Sequence, residues 1–243
     1  MERKNIILKI IVLILFILTL VFVSINKTKK QSLNDALKFK EEYESLNDKL
    51  NSDGNSYNNV EIPENNPIKY ITVKEAINII KNGEGVIYFG ANWCPWCRNA
   101  VGVLLDAASN KMLDTIYYLD MDKVRNKFSV VDGKITKIQV EQDGYYELLD
   151  LLDEVLSKDT YKITDSDGNV YDTNEKRIYI PFVIAVKNGK ILNNHISTVE
   201  LNDNQNEYSY LTDEQKNELF KIYIKIIESI ELEDSCGIDT NCD

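Results

Sequence analysis

The 243-residue sequence predicts an α/β fold in which a mixed central sheet is flanked by helices. From Ile68 onward, apolar runs typical of buried strands alternate with segments whose apolar residues recur at helical spacing. Such alternation places helices on both faces of a sheet. Toward the C-terminus, Asn188-Gly189 separates two further strand-like runs, which is the sequence signature of a tight hairpin. Because a hairpin joins antiparallel strands, the sheet should be mixed.

The composition argues against one class of partner. The net charge is -11, and 44% of the residues are hydrophobic. Nucleic-acid binding depends on clustered lysine and arginine, so we expect no nucleic-acid partner. The apolar content is ordinary for a chain that buries a core, and we interpret the negative charge as an aid to solubility.

The N-terminus carries the clearest compositional signal. Residues 6–25 are apolar except for Lys9, Thr19 and Ser24, and about 20 apolar residues are enough for a helix to cross a bilayer. The residues at the end of this run, Val23-Ser24-Ile25-Asn26, lack the small-x-small pattern of a signal-peptide cleavage site. We therefore assign residues 1–30 to an uncleaved membrane anchor with one transmembrane helix.

A polar segment, residues 31–67, follows the anchor. It begins with an apolar stripe at helical spacing and ends in a run rich in Asn, Ser, Asp, Gly and Pro, which favour turns. We expect a stalk helix that lies against a partner or against the domain, and then a loop. The stripe consists of Ala36, Phe39, Tyr43, Leu46 and Leu50.

The domain is expected to span residues 68–231, and it opens with the alternating pattern of a short strand, IKYIT. Thr72 then provides an N-cap, and Glu75 completes a capping box for the first helix of the domain. The run GVIYFG, residues 85–90, is rich in β-prone residues and bounded by glycines. This pattern is typical of a strand buried on both faces.

The next helix is expected to begin at a cysteine pair. The sequence Cys94-Pro95-Trp96-Cys97 follows the strand at residues 85–90 and precedes apolar residues at helical spacing. Pro95 suits the first turn of a helix, where its missing N–H leaves no hydrogen bond unmade. Another buried-strand pattern, DTIYYLDMD, comes after this helix.

An insertion is expected at about residues 123–177. It combines an amphipathic helix with two hairpins, which turn at Asp132-Gly133 and near Asp167-Gly168. The acidic residues of the second turn do not match a calcium-binding loop, so we interpret them as part of a tight turn.

Residues 232–243 form a tail after the last helix, and this tail carries Cys236 and Cys242. The simpler interpretation is a small disulfide that closes the tail. The alternative is a second redox pair that exchanges with Cys94 or with a partner. Distance and orientation decide which cysteines pair, so the spacing in the sequence leaves both interpretations open. A zinc site built from all four cysteines fits less well, because the spacing of the second pair is unusual and His195 is isolated in a strand.

Three separated features resemble the thioredoxin family: the strand VIYFG running into ANWCPWC, the Ile180-Pro181 dipeptide at the start of a strand, and the hairpin VKNGK behind it. The resemblance covers roughly residues 68–231 and implies a thioredoxin fold with its insertion before the strand that Pro181 opens. It also implies a cis peptide bond before Pro181, facing Cys94. More narrowly, the anchor, insertion and tail are similar to anchored thioredoxin-like proteins of Gram-positive bacteria, some of which are labelled bacteriocin transport accessory proteins.

The cysteine pair can perform thiol–disulfide exchange. Cys94 is expected to be the attacking thiolate, because the start of a helix stabilises negative charge on its sulfur. Cys97, one turn further into the helix, is expected to be the resolving thiol. The residues assigned to substrate binding are Trp93, Pro95, Trp96, Ile180 and Pro181.

The sequence departs from the thioredoxin pattern beside the cysteines. Thioredoxins usually carry a buried carboxylate and a lysine there, and the corresponding positions are Tyr88 and Tyr118. A tyrosine is a poor proton acceptor near neutral pH, so we expect proton transfer to and from Cys97 to use water or another group. Arg98 is expected to be exposed and solvated, with stabilisation of a thiolate as the alternative.

The sequence thus predicts a thiol–disulfide oxidoreductase anchored in the cell membrane by a single pass, with its C-terminal domain outside the cytoplasm. Its expected partners are exported or cell-surface proteins with thiols or disulfides, together with a membrane redox partner. No cofactor or metal is expected. The alternative is a binding or accessory module for a transport complex, in which the Cys94–Cys97 disulfide is structural.

Overall fold

Residues 2–236 are described by the computed structural model, in which a mixed five-stranded sheet lies between helices. The predicted α/β architecture is therefore confirmed. The elements in chain order are α1 (Glu2–Glu44), β1 (Ile68–Tyr70), α2 (Val73–Asn82), β2 (Glu84–Gly90), α3 (Pro95–Asn110), β3 (Ile116–Asp120), α4 (Met121–Val124), β4 (Lys127–Val131), β5 (Lys134–Gln139), α5 (Tyr145–Leu151), β6 (Lys162–Thr164), β7 (Val170–Asp172), β8 (Phe182–Lys187), β9 (Lys190–Ile196) and α6 (Asp213–Cys236).

The sheet has the strand order β1-β3-β2-β8-β9. Strands β1, β3 and β2 run parallel, whereas β8 is antiparallel to β2 and to β9. The turn between β8 and β9 has positive φ at Asn188 (48°) and Gly189 (83°), as the predicted Asn-Gly hairpin requires. This hairpin supplies the antiparallel strands, so the predicted mixed sheet is confirmed.

Strand β2 lies in the middle of the sheet, and its side chains alternate between two apolar cores. Val86 and Tyr88 point into the core formed by α3, α6 and the C-terminal part of α1. Ile87 and Phe89 point into the core formed by α2, α4 and α5. Burial on both faces explains the continuous apolar run, and the strand ends at Gly90, just before the cysteine pair.

Helix α1 packs against the domain at its C-terminal end. Phe39 and Tyr43 are fully buried there, and Lys40 donates a hydrogen bond to the Ile62 carbonyl at 2.9 Å. Of the two arrangements expected for the stalk helix, the structure therefore has the one against the domain. Earlier in α1, apolar side chains are exposed, and the helix is long and apolar enough to cross a membrane.

The apolar stripe of the stalk ends earlier than the sequence predicts. Helix α1 stops at Glu44, and Leu50 is exposed, so the prediction that the helical stripe continues through Leu46 and Leu50 is wrong. The physical reason is a competing local interaction. The Asn47 side chain donates to the Val60 carbonyl at 2.8 Å and accepts from the Val60 N–H at 3.0 Å, which holds the chain in a loop.

The insertion contains the two predicted hairpins, β4–β5 and β6–β7, each of which forms its own two-stranded sheet. In the second hairpin, the Asp165 carboxylate accepts hydrogen bonds from the backbone of Asp167 and Asn169, which is the arrangement of a tight turn. Helix α5 is shorter than its apolar pattern predicts. Leu152 and Leu156 remain buried but lie in turns after the helix ends.

The predictions for the tail are not tested. Cys236 is the last residue of α6, but its side chain lies outside the described part of the structure, and so does the whole of Cys242. The tail disulfide and the second redox pair both remain predictions.

Candidate functional site

The cysteine pair lies where the central strand passes into α3. Cys94 is the N-cap of this helix, with φ -74° and ψ 119°, and Pro95 occupies the first helical position. The first helical hydrogen bond runs from the Arg98 N–H to the Cys94 carbonyl at 3.0 Å. The Cys94 sulfur is therefore next to the backbone N–H groups that a helix leaves unpaired at its start.

Both cysteines are free thiols, and both are buried. Cys94 is 4% exposed and Cys97 is 0% exposed, so only Cys94 reaches the protein surface. This difference matches the predicted roles, because an attacking sulfur must be reached by a client and a resolving sulfur need not be.

The environment separates the acidities of the two thiols. A hydrogen bond from Cys97 lowers the pKa of Cys94, and the backbone N–H groups of Cys97 and Trp96 and the charge of Arg125 act in the same direction, against burial. Burial and the neighbouring Cys94 sulfur raise the pKa of Cys97 well above its usual value. The environment thus favours ionisation of Cys94 over ionisation of Cys97.

The segment before β8 passes beside the Cys94 sulfur. The Cys94 thiol donates to the Ile180 carbonyl at 3.6 Å, although the two residues are 86 positions apart. The Ile180–Pro181 peptide bond is cis, so the expectation from the resemblance is confirmed. The pairing of β2 with β8 explains the contact, since Cys94 follows one of these strands and Ile180 precedes the other.

The two tryptophans flank the pair and are half-buried. The indole N–H of Trp93 donates to the Asp122 carboxylate at 2.9 Å, and the Arg125 guanidinium lies 5.7 Å from the centre of a Trp93 ring. Trp96 packs against the core that contains Cys94. Both side chains therefore combine packing with exposed surface beside the sulfur.

Arg125 is a site residue that sequence reasoning missed. It is 5% exposed, and its Nη1 donates to the Ile178 carbonyl at 3.2 Å, close to the segment that touches Cys94. Its positive charge contributes to the low pKa of Cys94. No motif surrounds Arg125 in the sequence, and its position depends on how the insertion folds back onto the domain.

Tyrosine hydroxyl groups lie behind Cys97, at the positions that the sequence assigned to Tyr88 and Tyr118. Tyr88 is fully buried, and its hydroxyl lies 2.9 Å from that of Tyr43. The same hydroxyl acts as a hydrogen-bonding neighbour of Cys97 and lowers the pKa of that thiol, against burial. Burial raises the pKa of both Tyr88 and Tyr118, so these groups stay neutral. A row of groups with raised pKa values thus runs from Tyr43 on α1 through Tyr88 to Cys97, which neighbours Cys94.

The expectation that Arg98 is exposed is wrong. It is 3% exposed, and its guanidinium donates to the carbonyls of Asn58, Tyr43 and Asn92 and to the Asn47 side chain. Arg98 lies in the first turn of α3, and the loop after α1 closes over it. Its role is to tie the end of α1 to the domain.

Among the described residues, no group of three or more His, Cys, Asp and Glu side chains is arranged to hold a metal ion. A zinc site that includes the tail cysteines lies outside those residues. Comparison of this chain with protein-family models and with curated proteins finds no match.

Proposed function

We propose that this protein is a membrane-anchored thiol–disulfide oxidoreductase with a thioredoxin fold. The observation that carries the proposal is the position of Cys94. Its sulfur is at the N-cap of α3, has a lowered pKa and lies 3.6 Å from the Ile180 carbonyl. One helical turn further on is Cys97, a thiol with a raised pKa. A thiolate that is reachable, next to a second thiol that resolves the intermediate, is what disulfide exchange requires.

The strand order supports the thioredoxin fold. A parallel β1-β3-β2 unit is extended by the antiparallel β8–β9 hairpin, and the cysteine helix α3 follows the central strand. The insertion, with two small hairpins, lies between β3 and β8, as the resemblance implies.

The chemistry proceeds in two exchanges. The Cys94 thiolate attacks one sulfur of a client disulfide, forming a mixed disulfide and releasing the other client sulfur as a thiolate. Cys97 then loses its proton to water and attacks the Cys94 sulfur, which releases the second client thiolate and leaves a Cys94–Cys97 disulfide. Two electrons pass from the protein to the client, and the reverse sequence oxidises a client dithiol.

Tyr88 has a specific part in the second exchange. Its hydrogen bond to Cys97 lowers the pKa of that thiol, in opposition to burial. A neutral hydroxyl donates to the Cys97 thiolate as it forms, which a carboxylate at this position would not do. Tyr88 therefore assists resolution by stabilising charge, and water accepts the proton.

The client is proposed to bind as an extended segment along residues 178–180. The Ile178 carbonyl accepts from Arg125, whereas the Ile180 carbonyl accepts only from the Cys94 thiol and loses that partner when Cys94 ionises. Tyr179, between these two residues, is 39% exposed. An extended chain can pair with such a segment by β-augmentation, which brings a client disulfide over Cys94.

The location of the protein follows from α1 in this proposal. The apolar part of α1 crosses the membrane once, and its C-terminal end holds the domain through Phe39 and Tyr43. A domain that exchanges disulfides is expected on the oxidising, extracytoplasmic side. Exported and cell-surface proteins are the clients available there, and a membrane redox partner restores the cysteine pair.

A disulfide reduction assay tests the proposed function. Full-length protein in detergent micelles should accelerate reduction of insulin by dithiothreitol, and Cys94→Ser should abolish the acceleration. Cys97→Ser should instead accumulate a mixed disulfide, which is visible on a non-reducing gel. Equal rates for wild type and Cys94→Ser would overturn the proposal.

A further inference from the structure

A groove of about 430 Å³ lies beside the cysteine pair. Trp93, the residue before Cys94, lines it, and the insertion provides most of the remaining wall. The aromatic rings of Phe128 and Tyr161 are part of that wall, with their centres 6.4 Å apart. In a client bound at Cys94, the residues next to the reacting cysteine therefore lie at this groove.

The groove is positively charged, in contrast to the whole chain, whose net charge is -11. Its lining includes Arg125, Lys127 and Arg177, with Asp122 as the acidic residue. Lys127 and Asp122 form a salt bridge at 2.8 Å, so their charges largely cancel. The charges of the two arginines remain.

Each of these guanidinium groups is held by the backbone. Arg125 Nη1 donates to the Ile178 carbonyl at 3.2 Å, and Arg177 Nη1 donates to the Asn126 carbonyl at 3.3 Å. Arg177 also lies over the ring of Tyr161, 3.9 Å from its centre. Both side chains are therefore fixed at the groove by neutral partners. Asp122 and the Cys94 sulfur also interact with the charge of Arg125, so Arg177 carries the less compensated charge of the two.

Arg125 also has a hydrogen-bond donor without a partner in the described part of the chain. Its Nε is buried and has no hydrogen-bond partner among the described residues, although the side chain is 5% exposed. Buried polar atoms normally make a hydrogen bond. An arginine offers its N–H groups in a planar fork that matches a carboxylate.

We propose that the groove binds a carboxylate side chain of the client, next to the client's cysteine. The inference rests on the proposed exchange reaction and names its substrate class: segments in which an acidic residue lies close to the disulfide. A carboxylate is the anion that a disulfide-bearing polypeptide carries itself, and the aromatic walls accommodate the rest of its side chain. The insertion is thus a specificity element.

A pair of matched peptides tests this inference. Each peptide contains one cysteine joined to thionitrobenzoate through a disulfide, so that attack by Cys94 releases a coloured product. The two peptides differ only in a Glu or a Gln two residues from the cysteine. We expect the second-order rate constant of reduced, full-length protein to be about tenfold higher for the Glu peptide, as a single charge-assisted hydrogen bond provides.

The variants that test the groove are Arg177→Gln and, as a matched control, Lys134→Gln. Arg177→Gln should react with the Gln peptide at the wild-type rate and lose the preference for Glu. Lys134 is an exposed lysine of the insertion outside the groove, so Lys134→Gln should retain the preference. If Arg177→Gln does not fold, Arg177→Lys, which retains the charge but not the fork, should show a reduced preference.

The outcomes separate this inference from the proposed function. Equal rate constants for both peptides with wild-type protein would overturn the carboxylate site and leave the oxidoreductase function standing. A Glu preference that persists unchanged in Arg177→Gln and in Arg177→Lys would overturn it as well. Reaction with neither peptide would overturn the proposed function, and this inference with it.

Discussion

The hydrogen bond between Tyr43 and Tyr88 connects the anchoring helix to the strand that precedes the cysteines. The two hydroxyl oxygens are 2.9 Å apart, and both side chains are fully buried. Tyr88→Phe removes this bond and leaves the Tyr43 hydroxyl unpaired in the core. A buried polar group without a partner costs about 1–3 kcal/mol, so we expect the free energy of unfolding to fall by that amount.

Tyr43→Phe should cost less. The Tyr88 hydroxyl keeps Cys97 as a partner in that variant, so only the net value of one hydrogen bond, about 0.5–1.5 kcal/mol, is lost. The double variant leaves no unpaired tyrosine hydroxyl at this contact. Its cost should therefore be smaller than the sum of the single costs by about 1 kcal/mol.

Urea unfolding of the full chain in detergent micelles, followed by tryptophan fluorescence, measures these differences. With a slope of about 2 kcal/mol per molar urea, Tyr88→Phe should lower the midpoint by about 0.5–1.5 M. Tyr117→Phe is the matched control: Tyr117 is half-buried on β3, outside this contact, and its change should stay within about 0.5 kcal/mol. Single-variant costs that simply add would refute the reasoning.

Four further predictions concern the cysteines, Arg125 and Arg98. Iodoacetamide should alkylate Cys94 and spare Cys97. Because the Cys94 pKa is lowered, its reaction should persist at pH values where an ordinary thiol is protonated and fall only below that pKa. Arg125→Gln should move this pH profile upward; an unmoved profile, followed by mass spectrometry, would exclude its charge as a cause. The Cys94–Cys97 reduction potential, measured in glutathione buffers, should lie between about -270 and -120 mV, whereas a value below about -300 mV would indicate the structural disulfide of a binding module. Arg98→Gln should lower the free energy of unfolding, measured by thermal denaturation, by about 3 kcal/mol, because it leaves several buried carbonyls unpaired. A change under about 1 kcal/mol would contradict that account.

Signals between neighbouring residues predicted much of the fold. The capping box of Thr72 and Glu75 does begin α2, and the Asn188–Gly189 turn does join β8 to β9. Both depend on hydrogen bonds and backbone angles within a few residues, so a single stretch of sequence contains all the information they need. The start of α3 at the cysteine pair is of the same kind.

Other features depended on residues far apart in the chain. The apolar stripe of α1 is compatible with packing on a partner or on the domain. Which of the two occurs depends on the folded core, where Phe39 and Tyr43 are buried. From the sequence, Arg98 was predicted to be exposed. In the structure, the loop after α1 closes over it and provides carbonyls that accept hydrogen bonds from its guanidinium. A charged side chain is buried only where such partners converge, and convergence is a tertiary property.

The sequence by itself determined the α/β class, the membrane-length apolar helix and the cysteine pair at the start of α3, because periodicity, length and helix-start chemistry are local. The resemblance placed Pro181 opposite Cys94 and Tyr88 beside the cysteines, but only the tertiary structure decided that the Ile180 carbonyl meets the Cys94 sulfur and that Arg125 approaches from the insertion. The physical reason is that these contacts arise from strand pairing and from the folding back of a long insertion. Their energies depend on burial and distance, which no spacing in the sequence expresses.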